Sequence, residues 1–236
     1  MVIQGFFGYI IGKKKRMMYV QQDADLIWQI LVREIYVLMN HFKSIDHMKE
    51  AFEQIKTTNN KSKPKLSDIE KCKLFAEFPI NDWFSLLRYC QSSYINILEA
   101  GYIINETNDI GDVFILDFNK GIVDYYRKDL NGKIKQIQTA TIEEIMEFNE
   151  MPTKTYTEIV KEMKEQFAEY YKKYIKIEEE INKLMQLKTN AQQQGAMNIE
   201  LKVINLLHDM NTEKNKINIE RRVFYNRLNA LDLIEE

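Results

Sequence analysis

Gly5–Val20 reads GFFGYIIGKKKRMMYV: three glycines, a run of aromatic and branched residues, four consecutive cations, and a second apolar run. A phosphate loop of the G-x-x-x-x-G-K-[ST] kind needs backbone amides wrapped around the phosphates and a hydroxyl for the magnesium. Here Gly8 and Gly12 are separated by three residues only, and Lys14 stands where Ser or Thr is required. Val2 excludes N-myristoylation, and KKKR is too short to act alone as a nuclear address. What remains is strand, Gly-Lys turn, strand: a β-hairpin. A hairpin cannot stand alone, so the rest of the chain must supply a sheet and its cover.

The composition permits this. The 236 residues are 45% hydrophobic and 29% charged, with 33 basic against 35 acidic side chains and a net charge of -2. That balance gives no general attraction to nucleic acid or anionic lipid, and neither is expected as a partner. Cys72 and Cys90 fall in predicted helices, and no secretory leader is read at the start; two buried thiols in a reducing, cytoplasmic setting are expected. The most apolar span, Leu26–Phe42, carries Arg33 and Glu34 at its middle. It falls short of the ~18–20 apolar residues of a membrane span and reads as a buried helix.

Asp23 or Asp25 offers a cap to that helix, which runs to about Asn40 with apolar residues on nearly every side and therefore needs neighbours all round. Met48, Phe52 and Ile55 line one face of a second helix, about Asp46–Lys56. Thr57–Leu66 (TTNNKSKPKL) reads as an exposed loop, the preferred proteolysis site. Ser67 and Glu70 have the spacing of a capping box for a short helix ending near Pro79. Asn81 or Asp82 caps another, with Trp83, Leu87, Cys90, Tyr94, Ile97 and Leu98 on one stripe and Gly101 placed to end it. The period then changes. GDVFILDFNKGIVDYYRKDLNGKIKQIQTA, 111–140, alternates short apolar runs with turns at Asn119–Gly121 and Asp129–Gly132, a three-stranded antiparallel meander. Thr141 with Glu144 caps a final short helix, and Pro152 closes the region.

From Thr153 the pattern is helical. After a Thr155–Glu158 capping box, Val160, Met163, Phe167, Tyr170, Tyr174, Ile177, Ile181 and Leu184 are spaced 3, 4, 3, 4, 3, 4, 3, the signature of a coiled-coil seam. KTNAQQQGAMN, with Gly195 as breaker, interrupts it. A second series, Val203, Met210, Ile217, Phe224 and Leu231, is spaced by seven. Its alternate positions are read as Leu206, Glu213, Glu220, Arg227 and Ile234, polar at the centre. The fold class is therefore α+β: a small antiparallel sheet of hairpin and meander covered by helices, residues 1–152, followed by a long antiparallel helical hairpin, 153–236.

Chemistry is sparse. His41, His47 and His208 are far apart in sequence, and no H-E-x-x-H, paired C-x-x-C, G-x-S-x-G or nucleotide fingerprint occurs, so neither metal, cofactor nor catalytic residue is expected. Asp112 and Asp117 could suggest a nuclease, but strand alternation sends them to opposite faces. Fourteen basic and fourteen acidic residues from 153 to 236 suit protein contacts, as do the tyrosines at 125, 126, 170, 171, 174 and 225. A two-helix hairpin with one seam is marginal by itself, so self-association or docking on another protein is expected. GDVFILDFNKGIVDYYRKD followed by TATIEEIMEF resembles the strand, turn, strand and acidic helix that end domains of the SUKH immunity superfamily. That resemblance spans about 40 residues without the Leu-Pro step and Asn-Gly turn expected upstream, and implies a module that binds and neutralises a protein. The reading preferred on the residues is a non-catalytic structural, assembly or adaptor protein docking through its coiled coil. Abundant Lys, Asn, Ile and Tyr are compatible with an AT-rich genome and a viral or phage assembly.

Overall fold

The structure, a computed structural model, describes the chain except for residues 1–2, 23, 92, 106–110, 129–130, 149–152 and 231–236; at 3–4, 21–22, 24–25 and 222–230 it describes backbone alone. The described residues divide into two compact units, one built on 1–160 and the other being 161–225.

In the first unit β1 (Ile3–Ile11) and β2 (Lys14–Gln22) form the expected hairpin. Gly12 holds a positive φ of 57° at the first central position of the two-residue turn, as a type II′ turn requires. β5 (Asp112–Asp117), β6 (Ile122–Lys128) and β7 (Ile134–Thr141) form the expected meander. Of its two turns, Asp129–Gly132 lies partly outside the described residues. The two pieces are not separate: β1 pairs in parallel with β5, giving one five-stranded mixed sheet in the order β2-β1-β5-β6-β7.

The strands on either side of β1 explain its two glycines, β5 at Gly5 and β2 at Gly8. A Cβ on Gly5 would sit 2.4 Å from the Asp112 carbonyl oxygen, and one on Gly8 would sit 1.9 Å from the Arg16 carbonyl oxygen. Neighbouring backbone on both sides leaves no room for a side chain, the usual meaning of glycine in a strand interior.

One face of the sheet carries Phe7, Tyr9, Met18, Phe114, Leu116, Val123 and Tyr125, all buried. Onto it pack α1 (Ala24–Phe42), α2 (Ile45–Glu53) and α5 (Tyr94–Ala100). The core is aromatic. Phe52 of α2 lies 4.9 Å from the Tyr9 ring and 5.8 Å from that of Tyr94, and Phe114 stacks on Tyr125 at 4.5 Å. Each core hydroxyl reaches an acceptor: Tyr94 donates to the Gly8 carbonyl at 2.7 Å, Tyr9 to that of Phe52 at 3.1 Å and Tyr125 to the Asp112 carboxylate at 2.9 Å, as burial of a phenol demands. The opposite face holds a smaller cluster of Phe6, Met17, Val113 and Ile115, so the sheet is apolar on both sides.

α1 is engaged nearly all round, as its composition requires; of its candidate caps, Asp23 lies outside the described residues and Asp25 has its backbone inside the first turn of α1. α2 is capped by Ser44, which accepts from His47 N–H. Three expectations are corrected. Lys56, read as the end of the second helix, and Thr57 and Thr58, read as loop, instead form β3, Lys56–Thr58, which pairs in parallel with β4 (Tyr102–Ile104), so exposed loop begins only at Asn59. α3 (Leu66–Cys72) starts before Ser67, and its cap is the Asp68 carboxylate accepting from Lys65 N–H at 2.9 Å, not a Ser67–Glu70 box. The single helix expected after Asp82 is broken into α4 (Trp83–Leu86), a short 3-10 turn and α5. Ser93 takes the extended conformation and accepts from Asn96 N–H, restarting the helix, because a serine hydroxyl at a helix start competes with helix continuation. Gly101 ends α5 in the left-handed conformation as expected. α6 (Ile142–Glu147) has the reciprocal Thr141–Glu144 box.

α5 is tied to α1 by Glu34, which is 1% exposed. One carboxyl oxygen lies 2.6 Å from Ser93 Oγ and the other accepts from Tyr94 N–H at 2.5 Å. Burial pushes its pKa up from the ordinary 4.5 to about 8 despite these bonds.

Two outcomes follow. Gly8→Ala should cost ~3 kcal/mol or more through backbone displacement, whereas Gly12→Ala, in open space, should cost only the ~1–2 kcal/mol of a left-handed alanine; urea midpoints distinguish them. Because the folded pKa of Glu34 lies above its unfolded value, its contribution to stability is complete below about 4.5 and is lost as pH rises through about 8. Urea denaturation should show stability falling over that range, and Glu34→Gln, neutral and able to keep both bonds, should flatten this component of the profile.

Candidate interaction surface

The second unit is a helical hairpin. α7 (Tyr156–Gln193) starts from the Thr155–Glu158 box, in which Thr155 N–H donates to Glu158 at 2.8 Å, and α8 (Met197–Ala230) follows after three residues centred on Gly195. α7 therefore continues through most of the polar segment read as the interruption. At 38 residues it is ~57 Å long at 1.5 Å per residue.

Met163, Phe167, Tyr174, Ile177 and Ile181 are buried along α7, with Tyr170 and Leu184 partly so; Val203 and Ile217 are buried on α8, with Met210 partly so. Ile177, Ile181 and Ile217 form the centre, against which Tyr170, Leu207 and Met210 pack. Val160 is buried too, but in the first unit. The side chains of Phe224 and Arg227, and the whole of Leu231 and Ile234, lie outside the described residues.

The alternate seam of α8 is corrected by one residue. Leu206, Glu213 and Glu220 are exposed, while Leu207, Lys214 and Arg221 turn inward. Steps of four then three from Val203 put them there, because two turns of helix take about seven residues. The two inward cations sit over aromatic rings one heptad apart: Arg221 lies 4.8 Å from the Phe167 ring centre and Lys214 5.1 Å from that of Tyr174. Lys214 also pairs with Glu178, which accepts a bond from Tyr174 as well. The lysine and tyrosine together hold the Glu178 carboxyl below its ordinary pKa. Such partners let two charges sit at seam positions that would otherwise demand apolar residues.

The far end of the hairpin differs. From Thr189 to Ile199 there is no charged residue. Around this neutral tip Met185, Leu187, Met197, Ile199, Leu201, Ile204 and Leu206 are exposed, Met197 to 73%. Met197, Leu201 and Ile204 follow one helical stripe outside the seam. The heptad reading registered the seam and passed over these residues because they fall off its period.

Other chemical candidates are dispersed. Asp112 accepts from Tyr125 O–H at 2.9 Å and from Arg127 Nε at 2.8 Å, while Asp117 accepts from the Asn119 amide in the β5–β6 turn at 2.9 Å; the structure does not bring the two together. The His41 ring lies 4.3 Å from that of Tyr156, and His47 Nδ1 is 3.3 Å from the Phe42 carbonyl. Among the described residues no group of three His, Cys, Asp or Glu could hold a metal ion, and no helix is long and apolar enough to cross a membrane. Comparison with family models, curated proteins and solved structures finds no match for the chain.

Ile217→Ala should remove ~2–4 kcal/mol from the hairpin, whereas Leu206→Ala, at an exposed position, should stay within ~0.5 kcal/mol of wild type. Urea denaturation followed by helical circular dichroism reads the difference.

Proposed function

We propose that the protein is a non-catalytic docking subunit or adaptor that engages a protein surface, a second copy or another chain, with the neutral end of its helical hairpin. The observation that carries this reading is the set of seven large apolar side chains left exposed around an uncharged eleven-residue tip. Of these, Met197, Leu201 and Ile204 form one exposed stripe, and apolar surface left open among polar residues marks interaction sites in soluble proteins. The seam behind the tip is already occupied by the partner helix, so these residues are surplus to the hairpin's own packing. The balanced charge of the rest of the hairpin favours protein over polyanion. Exposed methionine, a flexible and polarizable side chain, suits such a surface.

A one-to-one neutralising role, implied by the SUKH-like stretch 111–148, makes a different demand: its partner should be held by the first unit and be indifferent to the tip. The double variant Leu201→Glu, Ile204→Glu separates the two, since both positions are exposed and the helix should persist. Wild type should sediment with concentration-dependent mass or retain an identified partner when purified from its native source, and the variant should lose this with unchanged helicity. A wild-type chain that stays monomeric and unaccompanied, or a variant that keeps the same partner, would contradict the docking reading.

A further inference from the structure

Beside the β1–β2 turn, the turn and the end of α2 enclose a cavity of about 540 Å³ whose charged lining is Lys13, Lys14, Arg16 and Lys49 against the single carboxylate of Glu53. This concentration of positive charge stands out in a chain whose net charge is -2. We propose that this cavity is a binding site for a compact oligophosphate anion, held by Lys13, Lys14 and Lys49; the proposal is independent of the docking reading.

The site is built. The turn that carries Lys13 and Lys14 is clamped from the β5–β6 turn: Asn119 Oδ1 accepts from Gly12 N–H at 2.8 Å and Asn119 Nδ2 donates to the Gly12 carbonyl at 2.9 Å. Arg16 is fixed as well. Its guanidinium donates to Tyr9 Oη at 2.9 Å and to the carbonyls of Ile55 at 2.5 Å and Phe52 at 3.4 Å. It thereby neutralises the negative end of α2, which would otherwise repel an anion.

Arg16 is held by a hydroxyl and two carbonyls, whereas the three lysines have no carboxylate partner within ion-pair distance among the described residues, although Lys49 is partly buried and Glu53 lies one helical turn away. Four cations held around one concavity against the single carboxylate of Glu53 repel one another, and a multiply charged anion entering between them relieves that repulsion. The ligand class follows from the lining. Tyr9 and Ile11 are at most 9% exposed, so little apolar surface is offered and recognition is by charge. Lysine ammonium groups bind phosphate as point charges. The volume is that of a small-molecule site, whereas an extended nucleic acid needs a stripe of cations along a face.

The test is isothermal titration of the full chain with inorganic tripolyphosphate, alongside vesicles of phosphatidylcholine containing a bisphosphorylated inositol lipid. The expected result is one tripolyphosphate per chain. Lys14→Glu and Lys49→Glu should each weaken it at least tenfold at unchanged melting temperature, while Lys61→Glu in the exposed loop has no effect. Raising salt from roughly 50 to 500 mM should also weaken it. Equal dependence of vesicle binding on Lys14 and Lys49 would assign the phosphate to a lipid headgroup, and no vesicle binding would assign it to a soluble ligand. Absence of heat, many ions per chain, indifference to both reversals, or binding of mixed-sequence duplex DNA without tripolyphosphate would each overturn the proposal.

Discussion

The parallel pairing of β1 with β5 is the constraint on which the first unit depends. Without it the N-terminal hairpin and the meander are two separate antiparallel pieces, and a two-stranded hairpin is marginal alone. With it they share one sheet, and the aromatic core of Phe7, Tyr9, Phe52, Tyr94, Phe114 and Tyr125 has a continuous floor. The pairing brings the Asp112 backbone against β1 at Gly5, where a side chain would not fit, and Gly8 makes the same room for β2 on the other flank. It also sets the geometry of the basic cavity, because the clamp between Gly12 and Asn119 joins the turns at the ends of the two paired strands.

Much of this was legible locally. The hairpin, the meander, the Thr141 and Thr155 capping boxes and the 3-4 spacing on α7 are short-range signals, and each corresponds to an observed element. The β1–β5 pairing was not legible, since nothing local records that Gly5 will lie beside Asp112, more than 100 residues away. The in-strand Gly5 is its available local sign. The β3–β4 pair was hidden because Lys56 and Thr57 keep exposed side chains and contribute through backbone bonds. Ser93 interrupts a helical stripe whose spacing looked continuous, since its cap geometry overrides propensity there.

The hairpin was legible in its period but not in its exceptions. A seam reading registers buried apolar residues, and so it placed Glu213 and Glu220 inside where the helix places Lys214 and Arg221. Those two cations are accommodated by aromatic rings supplied from α7, a relation that no single helix's sequence contains. The exposed tip was missed for the opposite reason: its residues are apolar but fall off the period. Exposure, not spacing, singles them out.

Native-state hydrogen exchange under graded denaturant tests the shared sheet most directly, by comparing β1 amides such as those of Phe7 and Tyr9 with β5 amides such as those of Phe114 and Leu116. One cooperative sheet predicts that both sets exchange through the same opening free energy. Exchange of the hairpin amides through a separate, much lower opening, with β5 still protected, would contradict it.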